Sequence, residues 1–125
     1  MTNSFTIVGL GEAVFDIFPD KEVLGGTSLN VAVQAHQLQA PLGGRGVLLS
    51  RIGSDDLGNR LQEEFASRNL PWEFVQVDPV KPTGQVLVSF IDGAPCYEIV
   101  MDTAWDHLQF TGHEAELAAV CDAVS

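Results

Sequence analysis

The arrangement that most restricts this chain is a strand, a glycine pair, a helix and a second strand in close succession near its N-terminus. Residues 5–10 are a short run rich in β-branched and aromatic side chains, which reads as a buried strand. An extended piece follows at 13–18, stopped by Pro19-Asp20, and Gly25-Gly26 then leads into 27–39. There Leu29, Val31, Ala32, Ala35 and Leu38 recur at helical spacing, and Thr27 or Ser28 can cap the first turn. Gly43-Gly44 breaks that helix, and 46–52 resumes as an apolar strand. Strand, helix and strand in so short a stretch make a parallel crossover unit, so the expected fold is α/β around a parallel sheet.

The pattern continues and then changes. Asp55 or Asp56 can cap a second helix in which Leu57, Leu61 and Phe65 recur every four residues, while Glu64 and Arg68 pair on its outer face. Residues 72–77 read as another strand and 78–82 as a Pro-rich connection. Beyond it, 85–91 and 97–101 are two strands separated by Asp92-Gly93-Ala94-Pro95, a hairpin signal that places antiparallel structure inside a parallel fold. Residues 114–124 carry an apolar helical stripe, Leu117, Val120, Cys121 and Val124, with no strand expected after it. A sheet that grows by crossovers and stops on a helix predicts the N-terminal fragment of a larger fold. No linker divides 1–125 into independent domains.

Charge and cysteine usage narrow the function. With 6 Lys and Arg against 17 Asp and Glu in 125 residues, the net charge of −11 disfavours nucleic acid or an anionic membrane surface as the main partner. No apolar run approaches the roughly 20 residues needed to cross a bilayer. Cys96 and Cys121 lack the density of a disulfide framework, and no secretory leader pattern precedes the first strand, so a cytoplasmic location is expected. His36, His107 and His113 have no partners at metal-ligand spacing, and no metal site is expected.

Gly9-Leu10-Gly11 after a first strand invites a dinucleotide-binding reading, but Val14 stands where that fingerprint needs a small residue opening a helix. Trp105-Asp106 reads equally well as a functional pair or as a core anchor. The strongest constellation is Asp16, Gly25, Gly26 and Asn30, followed by Arg51-Ile52-Gly53-Ser54-Asp55-Asp56-Leu57-Gly58. The glycine pair lets a ligand approach the backbone, and amides at the helix start are expected to point outward as donors. Asn30 offers a donor and an acceptor one turn in, and Asp16 can accept two hydroxyl hydrogen bonds at once, as recognition of a vicinal diol requires. Together these residues describe a polyol site.

As a set they resemble the N-terminal half of the ribokinase-like, PfkB-type carbohydrate kinases. Gly25-Gly26-Thr27-Ser28-Leu29-Asn30 and the later Gly53-Ser54-Asp55-Asp56-Leu57-Gly58 are similar to the first family signature, Gly11 to Asp16 to its first strand, and Thr83-Gly84 to the start of its lid hairpin. The Gly11-Glu12 opening and Tyr97-Glu98 are closest in character to fructokinases and 2-keto-3-deoxygluconate kinases. The resemblance implies a Rossmann-like parallel core with a small β lid, the lid segments at about 12–24 and 83–103. It implies transfer of the ATP γ-phosphoryl group to a sugar hydroxyl, with Asp16, Gly25, Gly26 and Asn30 holding the sugar and Val88, Phe90, Tyr97 and Ile99 covering it. Family lids that pair between subunits imply a homodimer. The second family signature, which supplies the catalytic base and the anion hole, is not in these residues, so no catalytic residue is expected here. ATP and Mg²⁺ are expected to bind mainly outside them. The alternative is a non-catalytic sugar-binding or dimerisation module of the same half-fold; the particular sugar is open.

Overall fold

The computed structural model describes residues 4–125. The elements run β1 (Thr6–Leu10), β2 (Val14–Ile17), β3 (Glu22–Gly25), α1 (Thr27–Gln39), β4 (Arg45–Gly53), α2 (Asp56–Ser67), β5 (Val75–Asp78), β6 (Gly84–Ile91), β7 (Ala94–Ile99), α3 (Gly112–Val120) and β8 (Ala123–Val124). They form two four-stranded sheets. The first, in the order β5-β4-β1-β8, is parallel throughout. The second, in the order β3-β2-β6-β7, is mixed: β2 and β6 are parallel, and the outer pairs are antiparallel.

β4 is buried on both faces, as a central parallel strand must be. Leu48 and Ile52 join Leu29, Ala32 and Val33 of α1 and Leu61 and Phe65 of α2 in one apolar cluster. Val47 and Leu49 turn the other way to meet Val8, Phe74 and Leu117 of α3. Helices therefore cover both faces of the parallel sheet. Of the expected α1 stripe, Leu29 and Ala32 are buried, whereas Leu38 is exposed and Val33 takes the inward position. Gly9 explains the glycine at the end of β1, because a Cβ there would collide with the Ser28 carbonyl of α1. That glycine serves helix–sheet contact.

Two sequence readings are corrected. The last helix stops at Val120, Cys121 is extended, and β8 then pairs in parallel with β1, so a strand does follow. The competing force is backbone satisfaction at the edge of β1: the Leu10 amide donates to Ser125 O at 2.8 Å, and the Thr6 amide donates to the Asp122 carboxylate at 2.8 Å. Only Leu117 of the stripe is buried; Val120 and Val124 are exposed, and Cys121 is half-buried. The second correction is β3, residues that were read only as the approach to the helix; it pairs with β2 and brings Gly25 opposite Val14.

The hairpin turn is tighter than expected. Ile91 faces Ala94 across a two-residue loop, Asp92-Gly93, with φ of +51° and +79°. Positive φ at both central positions matches the right-handed twist of the flanking strands, which is why Asp-Gly suits this turn. Among the described residues, no helix is long and apolar enough to cross a membrane.

Candidate functional site

Alternation along β2 decides where Asp16 points. Phe15 and Ile17 face the core cluster formed with α1 and α2, so Val14 and Asp16 face the opposite side of the mixed sheet. On that side lies an open cleft of about 510 Å³, walled by Val14, Asp16, Gly25, Gly26, Asn30 and Trp105, with Glu12, Leu24, Thr27, Val86 and Ile99 completing it. Asp16, Gly25, Gly26 and Asn30, separated along the sequence, thus meet in one cavity.

The two glycines have separate tasks. A Cβ at Gly25 would stand 3.0 Å from Asp16 Oδ2 and crowd the carboxylate. Gly26 is the residue before the first turn of α1, at φ +110°, and a Cβ there would stand 2.7 Å from the Glu12 carbonyl oxygen. The Asn30 amide N–H donates to the Gly26 carbonyl at 3.0 Å, so α1 starts at the glycine pair with Asn30 one turn in, at the cleft.

Glu12 is the residue that sequence reasoning missed. Its Oε1 accepts from the Thr27 amide at 2.9 Å and its Oε2 from the Ser28 hydroxyl at 3.4 Å; the same hydroxyl donates to the Leu10 carbonyl at 2.8 Å. Neither Thr27 nor Ser28 caps the helix, and the Thr27 amide is already engaged. A carboxylate brought from the preceding strand fills the helix N-terminus, where its charge is favourable. The available signal was the lack of any acidic residue in the first turn of α1, together with a glutamate just after β1.

The second half of the constellation lies away from the cleft. Asp55 precedes α2, and its Oδ1 accepts from the Gly58 amide at 2.8 Å and from the Thr83 hydroxyl at 2.6 Å, while Oδ2 accepts from the Thr83 amide at 2.9 Å. Burial pushes its carboxyl up, but these hydrogen bonds outweigh it and hold the group below its ordinary value. Nearby, Arg51 Nε donates to Asp78 Oδ2 at 2.9 Å, and the Val80 and Lys81 amides donate to Asp78 Oδ1. The two amides and the guanidinium hold the Asp78 carboxyl far below the usual range. These groups tie β4 and α2 to the foot of β6.

The lid residues divide. Val86 faces Asp16 on β2 and Ile99 on β7, and both apolar side chains line the cleft. Val88 and Tyr97 form the next pair along the hairpin and Phe90 lies beyond; none of the three lines the cleft. Val88 is 5% exposed, and Tyr97 and Phe90 are largely exposed. Of the histidines, His36 accepts the Gly46 amide at 3.2 Å, His107 faces Asp102 at 2.6 Å, and His113 stacks on Phe74.

A parallel α/β core whose mixed sheet leans over a polar cleft is the layout of the ribokinase-like sugar kinases. The chain belongs to the pfkB family of carbohydrate kinases, whose pattern residues 11–124 match. An uncharacterized sugar kinase of Pyrococcus horikoshii is 32% identical over 81 residues, 65% of this chain and 25% of its own length. Its crystal structure superposes with a TM-score of 0.68 at 27% identity, over 80% of this chain and 35% of that one, and it has also been solved with ATP. The fructokinase of Halothermothrix orenii gives a TM-score of 0.74 at 25% identity, over 91% of this chain and 43% of that one. The fructokinase of Vibrio cholerae in its fructose-, ADP- and calcium-bound form gives 0.65 at 26% identity, over 87% and 36%. The chain therefore spans between a quarter and under half of the relatives' lengths.

Proposed function

We propose that this chain forms the sugar-holding and lid part of an ATP-dependent sugar kinase, and that its cleft binds a neutral sugar of the fructose kind. The observation that carries the reading is the convergence of Asp16, Gly25, Gly26 and Asn30 on one cavity of about 510 Å³. Asp16 accepts from a pair of sugar hydroxyls, Asn30 donates to one and accepts from another, and the glycine pair lets the ring approach the backbone. Val86 and Ile99 cover its apolar face from the lid. The V. cholerae fructokinase, solved with fructose, supports the choice of sugar.

The residues of the cleft do not suit a nucleotide. Its charged groups are the carboxylates of Glu12 and Asp16, with no lysine or arginine among the lining residues, so they would repel a triphosphate. In this reading ATP and Mg²⁺, the phosphoryl donor and its counter-ion, are held by segments outside these residues, as are the base and the anion hole. The exposed apolar side chains of the lid, Phe90, Ile91, Tyr97 and Met101, meet a second copy of the chain.

Calorimetric titration of the full-length protein with fructose tests the proposal. Fructose should bind, and Asp16→Asn should weaken it by about 10-fold or more, since a hydroxyl loses a charged acceptor. ATP affinity should stay within about twofold. Unchanged fructose affinity in a folded Asp16→Asn variant would misplace the site, and sugar binding without ATP-dependent phosphorylation would reduce the chain's role to binding alone.

A further inference from the structure

Trp105 lines the cleft, yet the polyol constellation makes no use of it. It sits in a short 3-10 turn, Ala104–His107, fixed at both backbone and side chain: the Thr103 amide donates to the Asp106 carboxylate at 2.9 Å, and the Ala104 amide donates to the Pro82 carbonyl at 2.7 Å. The turn is thereby tied to the foot of β6. The ring lies against Gly84, where a Cβ would stand 2.7 Å from its Cδ1 and 3.0 Å from its Nε1. Gly84 pairs with Val14 and precedes by two residues Val86, the partner of Asp16, so Gly84, Val86 and Asp16 share one face of the sheet.

The indole Nε1 is shielded from solvent and has no hydrogen-bond partner among the described residues. A buried donor without an acceptor is unfavourable, and one at a cavity wall is explained when a ligand brings the acceptor. The cleft's other polar side chains sharpen this. Glu12 and Asp16 are acceptors, and a hydroxyl that donates to Asp16 still has lone pairs that need a donor. Indole is a donor only, with an apolar face beside its N–H, and it suits a sugar that presents C–H bonds on one side and hydroxyls at its rim.

We propose that Trp105 is a sugar-contacting, specificity-determining residue: its ring is the side wall on which the C–H face of the sugar packs, and its Nε1–H donates to one sugar hydroxyl. This rests on the sugar-binding reading above. A purely structural tryptophan would share the burial but would not respond to the ligand.

The test follows the indole ¹H–¹⁵N resonance of Trp105 in the full-length protein during a fructose titration, with calorimetry on Trp105→Phe. The resonance should move in proportion to saturation. Trp105→Phe, which keeps a ring and loses the donor, should weaken fructose by about 5- to 20-fold. One monodeoxy-fructose should lose affinity against the wild type and lose none against Trp105→Phe. Should that variant not fold, through-bond assignment of the wild-type indole still decides. An unmoved resonance at saturating fructose, or Trp105→Phe affinity within about twofold of wild type, overturns the proposal. If fructose binds and depends on Asp16 while the indole stays still, only the Trp105 assignment fails; if fructose does not bind, both readings fall.

Discussion

Asp55 and Thr83, 28 positions apart, hold each other twice: the Thr83 hydroxyl donates to Asp55 Oδ1 at 2.6 Å and the Thr83 amide to Oδ2 at 2.9 Å. The hydroxyl also accepts from the Gly53 amide at 2.9 Å, at the end of β4. One carboxylate therefore caps α2 and fastens the first lid strand to the parallel sheet. Thr83→Val should destabilise the protein by about 1–3 kcal/mol, because it strands a buried amide and a carboxylate oxygen. Urea unfolding would show it, with Thr83→Ser costing clearly less. Equal losses for both variants would assign the effect to the missing methyl group.

The same contacts set an acid response. Asp55 and Asp78 both have folded-state values below their ordinary ones, the first despite burial and through Thr83, the second through the Lys81 and Val80 amides and Arg51. A depressed carboxylate stabilises the fold above the unfolded value, about 3.9, and that contribution is lost as pH falls through the folded one. The urea midpoint should hold little changed from neutrality to about pH 5 on account of these two groups and fall below about pH 4. Asp55→Asn should flatten that decline while lowering stability at pH 7. A variant with the wild-type acid slope would remove Asp55 from the account.

Much of this was readable from residues whose roles are local. The strand–helix–strand unit followed from apolar spacing at 5–52, and Asp92-Gly93 announced its hairpin because few other pairs accept positive φ twice. The four cleft residues on β2 and at the head of α1 were legible because their types match one chemistry. What stayed hidden depends on pairing across the fold. β3 has an ordinary composition and becomes a strand because β2 offers it partners, and β8 exists because the edge of β1 needs acceptors and donors. Glu12 reads as a surface acid until α1, which has no acid in its first turn, is placed beside it. Asp55 looked like part of a ligand motif, and only the register of β6 shows that it binds Thr83.

Glu12 should behave as a helix cap. Glu12→Ala leaves the Thr27 amide unpaired at a helix N-terminus and should cost about 0.5–2 kcal/mol, while Glu12→Gln, whose amide oxygen still accepts, should cost less. Thermal and urea unfolding of the two variants would check the order. Equal stability of wild type and Glu12→Ala would show that water serves the helix end equally well.

Gly26→Ala combines two penalties, a non-glycine residue at φ +110° and a Cβ 2.7 Å from the Glu12 carbonyl. The expected loss is about 1–3 kcal/mol, accompanied by weaker sugar binding because the turn beside Asn30 must shift. A folded variant with full stability and full fructose affinity would mean that the turn relaxes at no cost.

The lid offers the sharpest contrast, because Leu87 and Val88 are consecutive on β6 and point to opposite faces. Val88 is 5% exposed and Leu87 is 39% exposed. Val88→Asp places an unpaired charge among apolar neighbours and should cost about 3 kcal/mol or more, enough to unsettle the β6–β7 pairing. Leu87 instead stands opposite Glu98 on β7. Leu87→Asp makes a like-charge cross-strand pair and should cost about 0.2–1 kcal/mol, whereas Leu87→Lys makes an opposite-charge pair and should be neutral or slightly stabilising. Urea unfolding separates these effects, and light scattering run alongside reports whether the exposed apolar face joins a second copy. If Leu87→Lys left the fold intact but lowered the mass of an assembly, that face would be the contact; if mass and stability both stayed at wild-type values, Leu87 would lie outside any interface. A Val88→Asp variant as stable as wild type would contradict the burial of β6 itself, and with it the placement of Val86 beside Asp16.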